Sequence, residues 1–280
     1  MRKAISIVTV AALALGVAGA VIAKEWTKVR IATEGAYPPW NSTDSSGKLI
    51  GFELDLAEDL CRRMGVECEI VAQDWEGIIP ALTSGKYDAI MAGMSITDER
   101  KKVISFTQSY AATPAYFAVL KDSDLAGYQS EIEKIDLASL EPDEEAAIAD
   151  LKKLLEGKTV GVQVATTHAN FVEQYLGDAV DIRKYDTQEN LDLDLQAGRV
   201  DAALAAMSYW KPLMETEKGA HFTLIGPGMI GGPFGEGVGV GIRQEDKELV
   251  EMFNKAIAEA KADGTISRLA IEWFGFDASS

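Results

Sequence analysis

A carboxylate and two aromatic rings stand together in Glu34-Gly35-Ala36-Tyr37-Pro38-Pro39-Trp40, a loop that follows a short apolar run. At the carboxyl end of a strand, such a loop sits where open α/β sheets bind ligands. Trp75 follows another apolar run at a matching edge. The segment Met91 to Arg100 (MAGMSITDER) leaves a strand with Ser95 and, five residues later, Arg100. Gln163 to Ala169 (QVATTHA) joins strand to helix through Thr166 and Thr167, so backbone N–H groups there can meet an anion. Together these residue types suit a small molecule with a cation at one end and a carboxylate at the other. The alternative is that Trp40 and Trp75 are core aromatics and Arg100 a surface charge. Catalytic chemistry is sparse: the histidines are His168 and His221, and no Cys/His cluster has metal-ligand spacing. No nucleophile elbow or phosphate-binding loop is present either. The balance favours binding over catalysis, with neither cofactor nor metal expected.

The elements that must position these residues alternate short apolar runs with helical stretches, the mark of α/β organisation. Strands are predicted at Val29–Thr33, Glu69–Ala72 and Tyr87–Met91, and helices at Phe52–Met64 and Ile78–Ser84. The order returns with strand Thr159–Gln163, a helix from about Thr167 to Leu176, strand Val180–Lys184, a helix around Gln188–Ala197 and strand Val200–Ala205. The segments SGKYDAIMAGMS (84–95) and AGRVDAALAAMS (197–208) are near parallels, which suggests two similar lobes. Lys121 to Lys158 is acidic and helix-prone and reads as a solvated elaboration on one lobe. Gly226 to Gly241 is glycine-rich without the strand–loop–helix context of a phosphate loop, and reads as a flexible crossover followed by a closely packed strand. The tail from Glu245 to Phe274 reads as two helices broken at Gly264.

The 280 residues carry 27 Lys plus Arg against 44 Asp plus Glu, a formal charge of −17. So acidic a surface repels phosphate backbones, which sets nucleic-acid binding aside. Arg2 and Lys3 precede an uncharged run from Ala4 to Ala23, the pattern of a signal peptide at 1–23. Cleavage after Ala23 is favoured over cleavage after Ala20, and an uncleaved anchor is the alternative. The two cysteines, Cys61 and Cys68, stand in LCRRMGVEC. Export makes a local disulfide the expectation, with two buried thiols as the alternative.

Gly51-Phe52-Glu53-Leu54-Asp55-Leu56, DAIMAGMSITDERKKVISFTQSY (88–110) and GVGVGIRQED (237–246) together resemble the signature of periplasmic solute-binding proteins for polar amino acids. Within that family the pattern is nearest to the lysine/arginine/ornithine binders. Through EGAYPPW and the long second-lobe insertion it is also near the octopine and nopaline binders. The resemblance implies a two-lobed α/β periplasmic-binding-protein (Venus-flytrap) fold with two hinge crossovers, near Ala111–Tyr116 and Met229–Phe234. Lobe 1 would comprise 24–112 and 232–280, and lobe 2 would comprise 113–231. The family's disulfide matches Cys61 and Cys68. The implied partners are an ABC permease and its ATPase in the inner membrane, the implied location is the periplasm, and the implied state is a monomer.

By the same resemblance, Arg100 matches the arginine that holds a ligand α-carboxylate, a bidentate task suited to guanidinium. Ser95 and Thr167 match further carboxylate partners, and Glu34 the acid that meets a distal cation. Tyr37 and Trp75 match an aromatic pair around the ligand side chain, where cation–π contact adds about 0.5–2 kcal/mol per face. Three departures bear on specificity. Ala206 stands where the family carries the acid for the ligand α-ammonium, Ala92 and Gly93 stand where many relatives have serines, and His168 replaces a common glutamine. A primary α-ammonium without its acid loses a charged hydrogen bond of about 1.5–3 kcal/mol. The expected ligand is therefore a cationic carboxylic compound whose α-nitrogen is substituted or absent, such as an opine or guanidino acid. An ordinary basic L-amino acid is the alternative. A dehydratase on the same scaffold is the rival class, with His168 or Glu34 as its acid or base.

Overall fold

The computed structural model describes residues 25–280, so the signal-peptide reading of 1–23 lies outside the described residues. In chain order the strands and helices open with β1 (Lys28–Thr33), β2 (Ala36–Tyr37), β3 (Asn41–Thr43), β4 (Leu49–Ile50) and α1 (Phe52–Met64). Next come β5 (Glu67–Ala72), α2 (Ile78–Thr83), β6 (Ala89–Ile90), α3 (Asp98–Lys101) and β7 (Ser105–Phe106). The middle of the chain holds β8 (Ala115–Leu120), β9 (Lys134–Asp136), α4 (Pro142–Leu154), β10 (Thr159–Gln163) and α5 (Thr167–Phe171). It continues through β11 (Asp181–Tyr185), α6 (Gln188–Gln196), β12 (Ala202–Ala206), α7 (Met207–Met214) and β13 (Phe222–Ile230). The chain ends with β14 (Gly241–Ile242), α8 (Lys247–Ala262) and α9 (Thr265–Phe274).

Two sheets organise the molecule. One has the order β5-β1-β6-β14-β7 and the other β11-β10-β12-β8-β13-β9. The chain passes from the first to the second between β7 and β8 and returns between β13 and β14. The two passages run side by side, with Ala111 bridging Val238 in antiparallel fashion. Each sheet packs helices on its faces. The first buries Phe52, Leu56 and Leu60 of α1 against Leu249, Phe253 and Ile257 of α8. Residues four apart on α1 place one apolar stripe on the core, and Gly65 closes the helix with φ 69°. The disulfide Cys61–Cys68 ties the end of α1 to β5, so the free-thiol alternative is set aside.

The near-parallel segments fold alike. β6 lies parallel to β1, and β12 parallel to β10. Before each strand an aspartate closes the same ring: Asp88 accepts from Arg30 N at 2.9 Å and Asp201 accepts from Thr159 N at 2.7 Å. Each aspartate's own N–H returns to the carbonyl of the same partner, so the parallel in sequence marks a repeated clamp between neighbouring strands.

Three expectations need correction. The strand predicted over Tyr87–Met91 is reduced to Ala89–Ile90, although the N–H groups of Asp88 and Met91 still bond to β1. Lys121–Lys158 is not merely a solvated elaboration. Leu125, Ile135, Leu137, Ile148, Leu151 and Leu155 are buried in the core of the second sheet, and β9 extends that sheet alongside β13. The acidic residues of α4 keep to its outer face and to a capping box of Glu141 and Glu144. Glycine-rich Gly226–Ile230 is part of β13, so the return passage begins only at Gly231.

Candidate functional site

The carboxyl ends of β1, β6, β10 and β12 face one another across a cleft of about 460 Å³. All twelve ligand-site residues expected from sequence line it: Glu34 and Tyr37 after β1, Trp75, then Ala92, Gly93, Ser95 and Arg100 after β6. From the opposite wall come Gln163, Thr166, Thr167 and His168 around the end of β10, and Ala206 at the end of β12.

At one end, Gln163 Nε2 donates to Glu34 Oε1 at 2.6 Å across the cleft. Glu34 has no cationic partner among the described residues. Burial pushes its carboxyl up to about 7; the Gln163 bond opposes that, and neighbouring Asp74 and Glu189 add to it. The protein therefore carries there a carboxyl that a cation would ionise. Tyr37 stacks on Tyr209 with ring centroids 4.8 Å apart and planes 12° off parallel. The hydroxyl of Tyr209 donates to Asp192, which also accepts from Gln188 at 3.0 Å.

Next along the cleft, Arg100 donates to Ser95 O at 2.9 Å and to Ala165 O at 3.3 Å. Its guanidinium carbon lies 5.2 Å from the centre of the Trp75 ring. No carboxylate pairs with Arg100 among the described residues. Burial lowers it to about 10, so it stays charged at neutral pH. Trp75 is therefore no simple core ring. Its Nε1 donates at 3.3 Å to the same Ala165 carbonyl that Arg100 uses. Thr166 caps α5, accepting from Ala169 N at 3.1 Å and donating to Gln163 O at 2.7 Å. That cap fixes the first turn of α5, whose Thr167 lines the same cleft as Arg100. Burial, assisted by the Arg100 charge, holds His168 down at about 4, so a neutral imidazole faces the site and packs on Phe234.

The floor beside β6 is made by Gly93, which has φ 61° and leaves room for the Tyr37 ring; a Cβ there would lie 3.6 Å from it. Gly93 N donates to the buried Glu53 carboxylate, which also takes Asn41 Nδ2 at 2.9 Å and the Tyr110 hydroxyl. Burial raises Glu53 to about 7 despite these donors. In GFELDL the sequence therefore carries a support beneath the site, which residue-type reasoning passed over. Trp40 is a core ring, 2 % exposed, yet its Nε1 reaches across to Ser208 Oγ at 3.0 Å. Ser208 in turn meets Thr113 at 2.9 Å.

Sequence reasoning also missed the far wall, where Lys134 and Asp136 of β9 and Phe234 line the cleft. The alternation Lys-Ile-Asp, with Ile135 buried, has the period of a strand, but three residues are too few for that signal to stand out from the acidic stretch around it.

Residues 29–276 match the sequence profile of bacterial extracellular solute-binding proteins, family 3. An octopine-binding periplasmic protein of Rhizobium meliloti is 41% identical, the match spanning 93% of this chain and 94% of that one. An L-arginine-binding protein of Pseudomonas aeruginosa is 36% identical over 89% and 88% of the two chains. Among solved structures, a periplasmic His/Glu/Gln/Arg/opine family-binding protein from Silicibacter pomeroyi in complex with lysine superposes with a TM-score of 0.71. That match has 35% identity and covers 90% of this chain and 99% of that one.

Proposed function

The chain belongs to family 3 of the bacterial extracellular solute-binding proteins, and from that premise we propose that it captures an opine-like cationic carboxylic compound in the periplasm for an ABC importer. One observation carries the reading. Glu34 without a cation and Arg100 without a carboxylate line the same cleft, while Ala206 offers a methyl group where an acid would hold a primary α-ammonium. Glu34, flanked by Tyr37, takes the ligand's cation. Arg100, Ser95 and the start of α5 at Thr167 take its carboxylate, and Ala206 leaves room for a substituent on the α-nitrogen. The small residues Ala92 and Gly93 widen the same floor.

Closure of lobe 2 (113–231) onto lobe 1 (24–112 with 232–280) encloses the ligand. The closed monomer is what a permease and its ATPase would read. The role we propose is capture without turnover, in keeping with the similar octopine-binding and L-arginine-binding proteins. Titration calorimetry of the mature protein with octopine and L-arginine side by side tests the reading. Tighter binding of octopine is the expected result. Tighter binding of arginine would make the site an ordinary basic amino-acid receptor in which another group replaces the missing acid.

A further inference from the structure

We infer that Lys134 forms a second carboxylate subsite and selects ligands with two carboxylates, a deepening that rests on the opine reading above. Both Lys134 and Asp136 line the cleft from β9, while Ile135 between them is buried in the core. The Lys134 ammonium has no ion pair or hydrogen bond among the described residues. Asp136 is engaged locally, accepting from Ala138 N at 3.0 Å. Elsewhere on the cleft wall the cation Arg100 also lacks a carboxylate, whereas Glu236 is paired with Lys101 at 2.8 Å. Among the described residues the cleft thus presents two cations without carboxylates, Arg100 and Lys134, and two carboxyl groups without a cation, Glu34 and Asp136.

Strand order converts this inventory into a length. The cleft edge of the second sheet runs β10, β12, β8, β13, β9, four strand intervals or roughly 19 Å at the usual spacing. Glu34 and Arg100 both meet the chain around the end of β10, through Gln163 and Ala165 respectively. An extended arginine reaches roughly 8 Å from guanidinium to carboxylate carbon, so it uses less than half of that edge. A carboxyalkyl group on the α-nitrogen leaves the arginine part at Ala206 on β12 toward β9 but adds only about 3 Å, so the long Lys134 side chain, which lines the same cleft, is what reaches back to meet it. Lys134 supplies the only unpaired ammonium that lines the cleft among the described residues. Because its partner is a charge, the contact discriminates ligands by carboxylate number instead of side-chain length.

The experiment is calorimetry of the mature protein and of Lys134→Met and Lys134→Arg with octopine, which carries two carboxylates, and L-arginine, which carries one. Lys134 is exposed, so replacing it leaves the core untouched. The expected result is a loss of about tenfold or more in octopine affinity for Lys134→Met, recovery in Lys134→Arg, and no more than twofold change for arginine in either. If the unaltered protein binds octopine and Lys134→Met binds it equally well, the subsite is wrong while the opine reading stands. Equal losses for both ligands would also overturn it, because they would mark a general effect on the lobe. Absence of octopine binding by the unaltered protein would remove the opine reading and this inference together.

Discussion

A carboxyl group raised to about 7 is half protonated where the protein works, and Glu34 is such a group. A bound cation favours its charged form, so the proton leaves as the ligand arrives. The sign follows: affinity for a cationic ligand rises with pH and levels off above 7, falling about tenfold between pH 8 and pH 6. Calorimetry at the two pH values in buffers of different ionisation enthalpy would register the proton released. Glu34→Gln should bind more weakly at pH 8 and lose most of the pH slope; His168, held at about 4, stays neutral throughout that range. Glu53 and Asp192 titrate in the same window without contacting the cation, and the Gln variant separates their share. At this scale Glu34 and Arg100 were legible in the sequence as cleft-lining residues because both follow strands whose carboxyl ends face the cleft. Glu53 was not, because its place under Gly93 depends on a contact forty residues distant.

Elements were legible where one period dominates. The helix predicted over Phe52–Met64 and the strand over Thr159–Gln163 stand as expected, each with a single buried face or a continuous apolar run. The segment 121–158 misled because acidic residues outnumber the few apolar ones that matter, and a three-residue strand leaves too short a pattern to read. Charge composition describes the face in water, and the core contact is carried by Ile135, Ile148 and Leu151. The disulfide belongs to this scale, since it joins α1 to β5 across the turn at Gly65. The loop it closes is short, so the entropy model gives about 2–3 kcal/mol. Cys61→Ser with Cys68→Ser should lower the melting temperature by roughly 5–10 °C. Ligand affinity should hold, because neither cysteine lines the cleft; thermal unfolding with and without reductant, alongside calorimetry, checks both halves.

Across the whole molecule, the two walls meet through side chains that come from opposite sheets: Gln163 with Glu34, Trp75 and Arg100 with Ala165, Trp40 with Ser208, and Tyr37 with Tyr209. The two-lobed architecture was legible from the repeated DAIMAGMS-like segments, while these pairings were not, since each joins residues far apart in the chain. Trp40→Phe keeps an aromatic ring but a smaller one, and removes one such bond, worth about 0.5–1.5 kcal/mol. Ligand affinity should fall several-fold, and the melting temperature should fall as well, because the smaller ring leaves a void beside Phe52 and Phe274. Small-angle scattering should then need more ligand to reach the same compact radius, and an unchanged titration would detach Trp40 from closure.

The carbonyl of Ala165 accepts from both the indole of Trp75 and the guanidinium of Arg100, joining the lips of the cleft at a single atom. On the proposed reading, a solute enters or leaves only while this contact and the other pairings across the cleft have let go, so residence time follows the life of the whole set. Tight capture and slow release then share one cause, and any partner that takes the solute on would first have to part this contact.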